Sequence, residues 1–256
     1  MQSRTKLVSL ISTAAMMLAV ASASAGTIST ATFTTDAYSG ISPSKTYTHL
    51  FDMGNGDVAV VNDVTFNAFS NPGSGYDTTI THGNLTLTTV PMGSYGFNDN
   101  TNTMAIGVDS SQGMYNLLYD YIYGHDKHEY STAELSGLTP GAEYDLRIYY
   151  RNAYQPQLER LVKIIFDYGG ANDEITVDEH SPDSEPYYAS YLSYQYIAPS
   201  SGKLLVMFDH LTADNMAWVW HGMSNELVAE VPELSTLALL ACGLLGLLAY
   251  AWRKRK

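Results

Sequence analysis

Cysteine is almost absent from the 256 residues: the single one, Cys242, lies inside an apolar stretch close to the C-terminus. The rest of the chain can therefore form no internal disulfide, no cysteine-based zinc site and no cysteine nucleophile. Basic residues are scarce too. Of 13 Lys and Arg, two (Arg4, Lys6) precede residue 26 and four (Arg253, Lys254, Arg255, Lys256) follow residue 252. The body between, Gly26 to Glu230, keeps seven against 25 acidic residues, a net charge of about −18. A nucleic-acid partner needs a basic footprint on its phosphates, so this balance argues against one. Catalytic signatures are missing as well: there is no Gly-x-Ser-x-Gly elbow, no His-Glu-x-x-His, no Walker loop and no dinucleotide fingerprint. No soluble cofactor and no enzyme is implied. Acidic residues are spread so widely that no glycosidase carboxylate pair stands out.

What is present is most explicit at the two ends. Arg4 and Lys6 begin a leader whose apolar middle runs from Leu7 to Val20 and whose small-residue box is Ala23-Ser24-Ala25. That three-part build is a secretory signal, read by a Sec translocase and a signal peptidase, with cleavage between Ala25 and Gly26. A buried helix or an anchor is the alternative, but the middle is broken by Ser9, Ser12 and Thr13 and is short for a bilayer. At the other end Val231-Pro232-Glu233-Leu234 precedes an uncharged run, Ser235 to Trp252, of 18 residues. This is near the lower limit of a transmembrane helix. Trp252 marks an interface, and the basic tail Arg253 to Lys256 favours the cytoplasmic side.

Motif, apolar run and basic tail in this order resemble the PEP-CTERM sorting signal of Gram-negative bacteria. Val231, Pro232 and Glu233 match that motif, and Leu234 stands where a second proline is usual. The resemblance implies sorting by an exosortase, a membrane-embedded transpeptidase that cuts near Pro232 and Glu233. It also implies passage through the inner membrane to the envelope, surface or extracellular matrix. A single-pass anchor that is never cut is the plainer alternative.

The body, residues 26–230, reads as one all-β domain, an antiparallel β-sandwich of jelly-roll type between the signal peptide and the transmembrane helix. In Glu143 to Arg151, Tyr144, Leu146, Ile148 and Tyr150 fall on one face. Asp145, Arg147, Tyr149 and Arg151 fall on the other, which reads as the solvated side. Strands are expected over Val58–Phe66, Asn84–Val90, Met104–Val108, Leu161–Asp167, Glu174–Val177, Tyr187–Ile197, Leu204–Phe208 and Met216–His221. Asn71-Pro72-Gly73, Thr139-Pro140-Gly141, Tyr168-Gly169-Gly170 and Pro199-Ser200-Ser201-Gly202 are turn signals between them, the last closing a hairpin. The spacing predicts one short helix over Tyr115–Tyr123.

Several of these segments, notably Asp120 to Gly124, Leu135 to Tyr150, Lys163 to Gly170 and Trp218 to Glu226, resemble galactose-binding-like and malectin-like carbohydrate-binding jelly rolls. That resemblance implies a non-catalytic module for an extracellular polysaccharide, with a structural calcium as a possible companion. The rivals are a matrix scaffold without a specific ligand and a polysaccharide-acting hydrolase or lyase. Flat aromatic faces suit sugar rings, so the ligand candidates are Tyr154, Tyr187, Tyr188, Trp218 and Trp220. The two tryptophans alternate with Ala217 and Val219 in a terminal strand, and for them a place in the core is the preferred reading. For calcium, which takes six to eight oxygens, the candidates are Asp209 and Asp214. His125 and His128 lack a third strong ligand for zinc.

Overall fold

The computed structural model describes residues 26–54, 58–70, 79–89, 95–98, 107–124, 130–151, 160–170, 172–179, 189–211, 218–229, 243–245, 247 and 250–254. In chain order the strands begin with β1 (Thr27–Phe33), β2 (Thr46–Gly54), β3 (Val60–Val61), β4 (Val64–Thr65), β5 (Asn67–Ser70) and β6 (Thr79–His82). Next come β7 (Leu85–Thr89), β8 (Tyr95–Asn98), β9 (Tyr121–Gly124), β10 (Tyr130–Leu135), β11 (Glu143–Arg151) and β12 (Leu161–Phe166). The last are β13 (Asp173–Asp178), β14 (Ala189–Ile197), β15 (Leu204–His210), β16 (Val219–Trp220) and β17 (Gly222–Ala229).

Two six-stranded sheets carry the fold, ordered β1-β14-β11-β17-β2-β5 and β13-β12-β15-β10-β7-β6. Their ladders are antiparallel except for β2 with β5, which is parallel. From β10 onward the chain alternates between the sheets: β10 in the second, β11 in the first, β12 and β13 in the second, β14 in the first, β15 in the second and β17 in the first. This interleaving is jelly-roll-like. The stretch Pro199 to Gly202, expected to close a hairpin, is therefore an arch from one sheet to the other.

Period-two alternation explains the layering. Tyr144, Leu146, Ile148 and Tyr150 of β11 point into a core shared with Leu87, Leu135, Ile164, Phe166, Val206 and Phe208 of the opposite sheet. Aromatic rings run through it as a ladder. Phe166 stacks on Tyr194 at 4.0 Å, Tyr194 lies nearly parallel to Tyr196 at 5.2 Å, and Tyr196 meets Tyr144 at 5.7 Å.

The other face of β11 corrects the sequence reading. It is not solvated: Tyr149 is fully buried, and Asp145 and Arg151 are nearly so. A second apolar cluster covers it, built from Phe33, Val61, Val64, Phe66, Met114, Leu117 and Leu118 around Tyr149. The residues expected to form one strand over Val58–Phe66 instead fold as the tight β3–β4 hairpin. Asn62 and Asp63 sit at its tip with φ of 49° and 64°, the left-handed pair that a two-residue turn requires. The Asn62 amide also donates to Asp36 O and Ile41 O, both at 3.0 Å, which fastens the hairpin to the chain before β2.

The helix is likewise displaced from its expected place. It covers Gly113–Leu117, and Tyr121 already begins β9. Its spacing was real, but the residues divide between two cores. Leu117 and Leu118 fill the second cluster, while Ile122 belongs to the first. The helix starts against β3, so close that a Cβ on Gly113 would lie 1.9 Å from Val60 O. Its N-terminal N–H groups are satisfied from a distance: Gly113 N donates to Asp36 Oδ2 at 2.7 Å and Met114 N to Asp36 Oδ1 at 2.8 Å. Of the expected strand at Met104–Val108, residues 104–106 lie outside the described residues and Val108 is not in a strand.

Candidate functional site

Charged side chains are buried where β11 ends and β12 begins. Arg151, the last residue of β11, is 2% exposed and donates from Nε to Leu118 O at 2.7 Å. Arg160, just before β12, is also buried and gives its backbone N–H to Asp178 Oδ1 at 3.0 Å. Glu179, just after β13, returns its N–H to Arg160 O at 2.9 Å. The Glu179 carboxylate accepts the Val219 N–H at 2.9 Å. His221 completes the group between β16 and β17; its N–H donates to Tyr149 O, and its carbonyl accepts from Met53 N at 2.8 Å. Its ring lies 5.3 Å from that of Tyr121.

Burial governs the chemistry here. It pushes the Glu179 carboxyl up to about 8, against the opposing pull of the Arg160 charge and the Val219 N–H. It lowers His221 well below its ordinary value, and the Arg151 and Arg160 charges lower it further, so the imidazole is neutral. Both arginines are also lowered by burial, and guanidinium nonetheless stays protonated. Tyr150 beside them is raised, first by burial and then by Glu179 and Asp178. A neutral imidazole, a carboxyl that is easily protonated and two fixed cations form a rigid polar base. Breaking one member of such a group leaves another uncompensated.

The same residues bound two segments that the sequence singles out. Residues 152–159 lie between Arg151 and Arg160, and residues 180–188 between Glu179 and Ala189, which is paired with Arg151 in the sheet. Tyr154, Tyr187 and Tyr188 belong to those segments and lie outside the described residues. The buried group of Arg151, Arg160, Glu179 and His221 escaped sequence reasoning, since a lone Arg, Glu or His carries no local pattern. Only the pairing of β11 with β14 and of β12 with β13 brings their termini together.

The tryptophans take the core place that their alternation favours, and the lesser ligand role falls away. Trp218 is 2% and Trp220 1% exposed, and both rings lie on Phe208, at 5.3 Å and 4.9 Å, inside the main core. The Trp220 indole N–H donates to Gly222 O at 2.9 Å, whereas that of Trp218 is buried without a hydrogen-bond partner. Neither ring is presented to a ligand at the surface.

Of the calcium candidates, Asp214 lies outside the described residues and Asp209 is in β15, opposite Lys163 on one side and Tyr130 on the other. A lysine across the strand opposes a cation. Among the described residues no three His, Cys, Asp or Glu side chains gather in a way that would hold a metal. His125 and His128 are outside the described residues.

The terminal motifs are only partly visible. Ala25, Val231, Pro232, Glu233, Arg255 and Lys256, with much of Ser235 to Trp252, lie outside the described residues. Helical residues occur at 243–245, 247 and 250–253, with Leu244, Leu247 and Trp252 well exposed, followed by Lys254. Among the described residues no helix is long and apolar enough to cross a membrane.

No family model matches the chain, and no curated protein matches it. Several solved structures are similar in part. The first is the enzymatically active domain of bacteriophage CBA120 tailspike protein 4, at 15% identity and a TM-score of 0.34; the likeness covers 57% of this chain but 19% of that one. The CBM22-1 xylan-binding domain from Paenibacillus barcinonensis aligns at 11% identity over 70% of this chain and 99% of its own, with a TM-score of 0.36. The C-terminal family 22 carbohydrate-binding module of a Clostridium thermocellum protein aligns at 12% identity over 64% and 100%, with a TM-score of 0.35. Likeness at this level assigns neither a family nor a ligand.

Proposed function

We propose that this chain is an exported surface or matrix protein whose sandwich binds an extracellular polysaccharide without catalysis. The observation that carries the reading is the buried base formed by Arg151, Arg160 and Glu179. It fixes both ends of the segment with Tyr154, and it fixes the start of the segment with Tyr187 and Tyr188. Binding residues are commonly borne on segments that a rigid scaffold positions, and tyrosine offers a flat face of low conformational freedom with a hydroxyl at its edge. On the terminal residues we read removal of the leader after Ala25 and sorting by an exosortase at Val231, Pro232 and Glu233. The hydrophobic run and basic residues that follow would hold the chain in the inner membrane until that step.

A glycan array probed with the purified chain tests the binding reading. Specific polysaccharide binding that falls about tenfold in Tyr154→Ala or in Tyr187→Ala/Tyr188→Ala, with unchanged melting, supports it. Absence of binding to every glycan leaves the scaffold reading, and release of reducing ends or unsaturated products leaves the enzyme reading. Sorting is tested separately by mass spectrometry of the mature protein from an exosortase-positive host. A C-terminal peptide that still runs through Ser235 to Lys256 would make this an ordinary anchored protein.

A further inference from the structure

One carboxylate closes an open edge of the sandwich. β1 is one of the two edge strands of the first sheet and β13 one of the two of the second. Asp173, the first residue of β13, accepts two hydrogen bonds at the same oxygen, Oδ2. One comes from the backbone nitrogen of Gly26 at 2.6 Å and the other from the Tyr194 hydroxyl at 2.8 Å. Tyr194 belongs to β14, opposite Ile28 of β1, and its ring lies on Phe166 of the second sheet. A single oxygen thereby ties the start of β1 to both layers. Position 26 admits no side chain: a Cβ there would lie 2.1 Å from Tyr194 Cε2 and 2.8 Å from Gln195 O. Glycine is what lets the nitrogen come this close.

This nitrogen is also the one that follows Ala23-Ser24-Ala25. We infer that removal of the leader creates the group this edge is built to receive, the α-ammonium of Gly26 paired with the Asp173 carboxylate. The inference rests on the cleavage reading given above. In the precursor, the Gly26 nitrogen is a peptide N–H with one neutral hydrogen to give. After cleavage the same atom is a cation with three N–H donors. The precursor bond already has the carboxylate's charge behind it; cleavage adds the opposite charge on the donor and makes the contact an ion pair, and partial burial limits its screening by salt. The titratable groups that face this nitrogen are Asp173 of β13 and Tyr194 of β14, and Asp167 in the turn after β12 acts on the Tyr194 hydroxyl. Burial first, then the hydrogen bond and charge of Asp173 and the charge of Asp167, push Tyr194 up, so its hydroxyl remains a donor and leaves the negative charge to the carboxylate. Maturation thus strengthens the closed edge, and the processed chain is the more stable form.

The sign with pH follows. An α-amine in an unfolded chain titrates near 7.7–8.0. Pairing raises it in the folded state, so the added stability is complete below about 8 and is lost as pH rises through the folded value.

The test uses the exported chain and its Asp173→Asn variant, each with a free and with a selectively acetylated α-amine. Intact mass identifies the first residue; a start other than Gly26 overturns the cleavage reading and this inference with it. With Gly26 first, acetylation is expected to lower the wild-type melting temperature by several degrees at pH 6.5 and to leave Asp173→Asn unchanged. Equal shifts in both proteins overturn the ion pair while cleavage stands. Should Asp173→Asn fail to fold, NMR titration of the Gly26 amine in the wild type decides the matter. A midpoint above 8 supports the pair, and one at or below 8 removes it.

Discussion

Val219 gives its backbone N–H to the Glu179 carboxylate at 2.9 Å, inside the protein and within the field of Arg160. The acceptor is more important there than the charge. Burial raises the Glu179 carboxyl to about 8, so between about 4.5 and 8 the folded chain binds a proton that the unfolded chain has released. This group therefore withdraws stability as pH rises through that window. Glu179→Gln keeps an oxygen for Val219 and carries no charge. It should lie within about 1 kcal/mol of the wild type at pH 5.5, the net worth of one altered hydrogen bond. It should then become the more stable of the two by pH 8.5. Urea-unfolding midpoints at the two pH values measure this, and the opposite trend would mean that Glu179 acts as a paired anion.

His49 sets a limit on the acid side. Its Nε2 lies 3.1 Å from Asn84 O, which can only accept, so Nε2 carries the proton and Nδ1 faces Thr48 Oγ1 at 2.9 Å. Burial lowers its pKa to about 4. Protonation then favours the unfolded chain, and stability is lost as pH falls from 6.5 toward 4, by on the order of 3 kcal/mol. In His49→Gln the dependence of the unfolding free energy on pH should be visibly flatter over this interval.

Asp36 holds a helix that begins 77 residues later in the chain, with one carboxylate oxygen on each of two N–H groups. Asp36→Ala should cost about 1–2 kcal/mol, the upper range for loss of an N-terminal cap. Because the helix covers Tyr149, hydrogen exchange in Gly113–Leu117 should rise before exchange in β11 does. Unchanged exchange in the helix would show that packing against the β3–β4 hairpin holds it without the cap.

Trp218 separates packing from binding. Its ring lies on Phe208 in the core and its buried N–H has no partner. Trp218→Ala should lose about 3–5 kcal/mol in urea unfolding through the cavity it leaves. Trp218→Phe removes the unsatisfied N–H, keeps an aromatic ring and leaves a smaller cavity, so it should lose clearly less than Trp218→Ala. A glycan-binding defect in Trp218→Phe without a stability defect would contradict its placement in the core.

The strands that show in the sequence are those whose two faces differ in chemistry. The expected strands at Glu143–Arg151 and Leu161–Asp167 correspond to β11 and β12 because Tyr144, Leu146 and Ile148, or Val162, Ile164 and Phe166, recur at every second position as the set buried in the main core. β1 and β6 escape notice because they are largely threonine and serine, and β6 contributes one buried residue, Ile80. The outer face of β11 misleads for a different reason. Asp145, Arg147 and Arg151 mark a wet surface in any local reading, yet a hairpin and a helix from elsewhere in the chain cover it. The Arg147–Asp145 pair at 2.8 Å and the position of Arg147 over the Tyr191 ring, 5.0 Å from its centre, satisfy the charge under that cover. The candidate site was hidden in the same way, since Arg151, Arg160, Glu179 and His221 are neighbours only through strand pairing.

β17 occupies an inner place in the first sheet, between β11 and β2, although it is the last strand of the body. Thr46 near the start of β2 meets Leu227, and Thr27 of β1 meets Gln195. An emerging chain therefore cannot assemble this sheet progressively. Until residues 222–229 are available, β2 and β11 are two unsatisfied edges that can recruit each other wrongly or recruit strands of another molecule. Such distant pairings also slow the search, toward the millisecond-to-second range usual for β-rich topologies. A pause in synthesis just before β17 is the moment at which this protein is most exposed to aggregation, and a chaperone would have the most to contribute then.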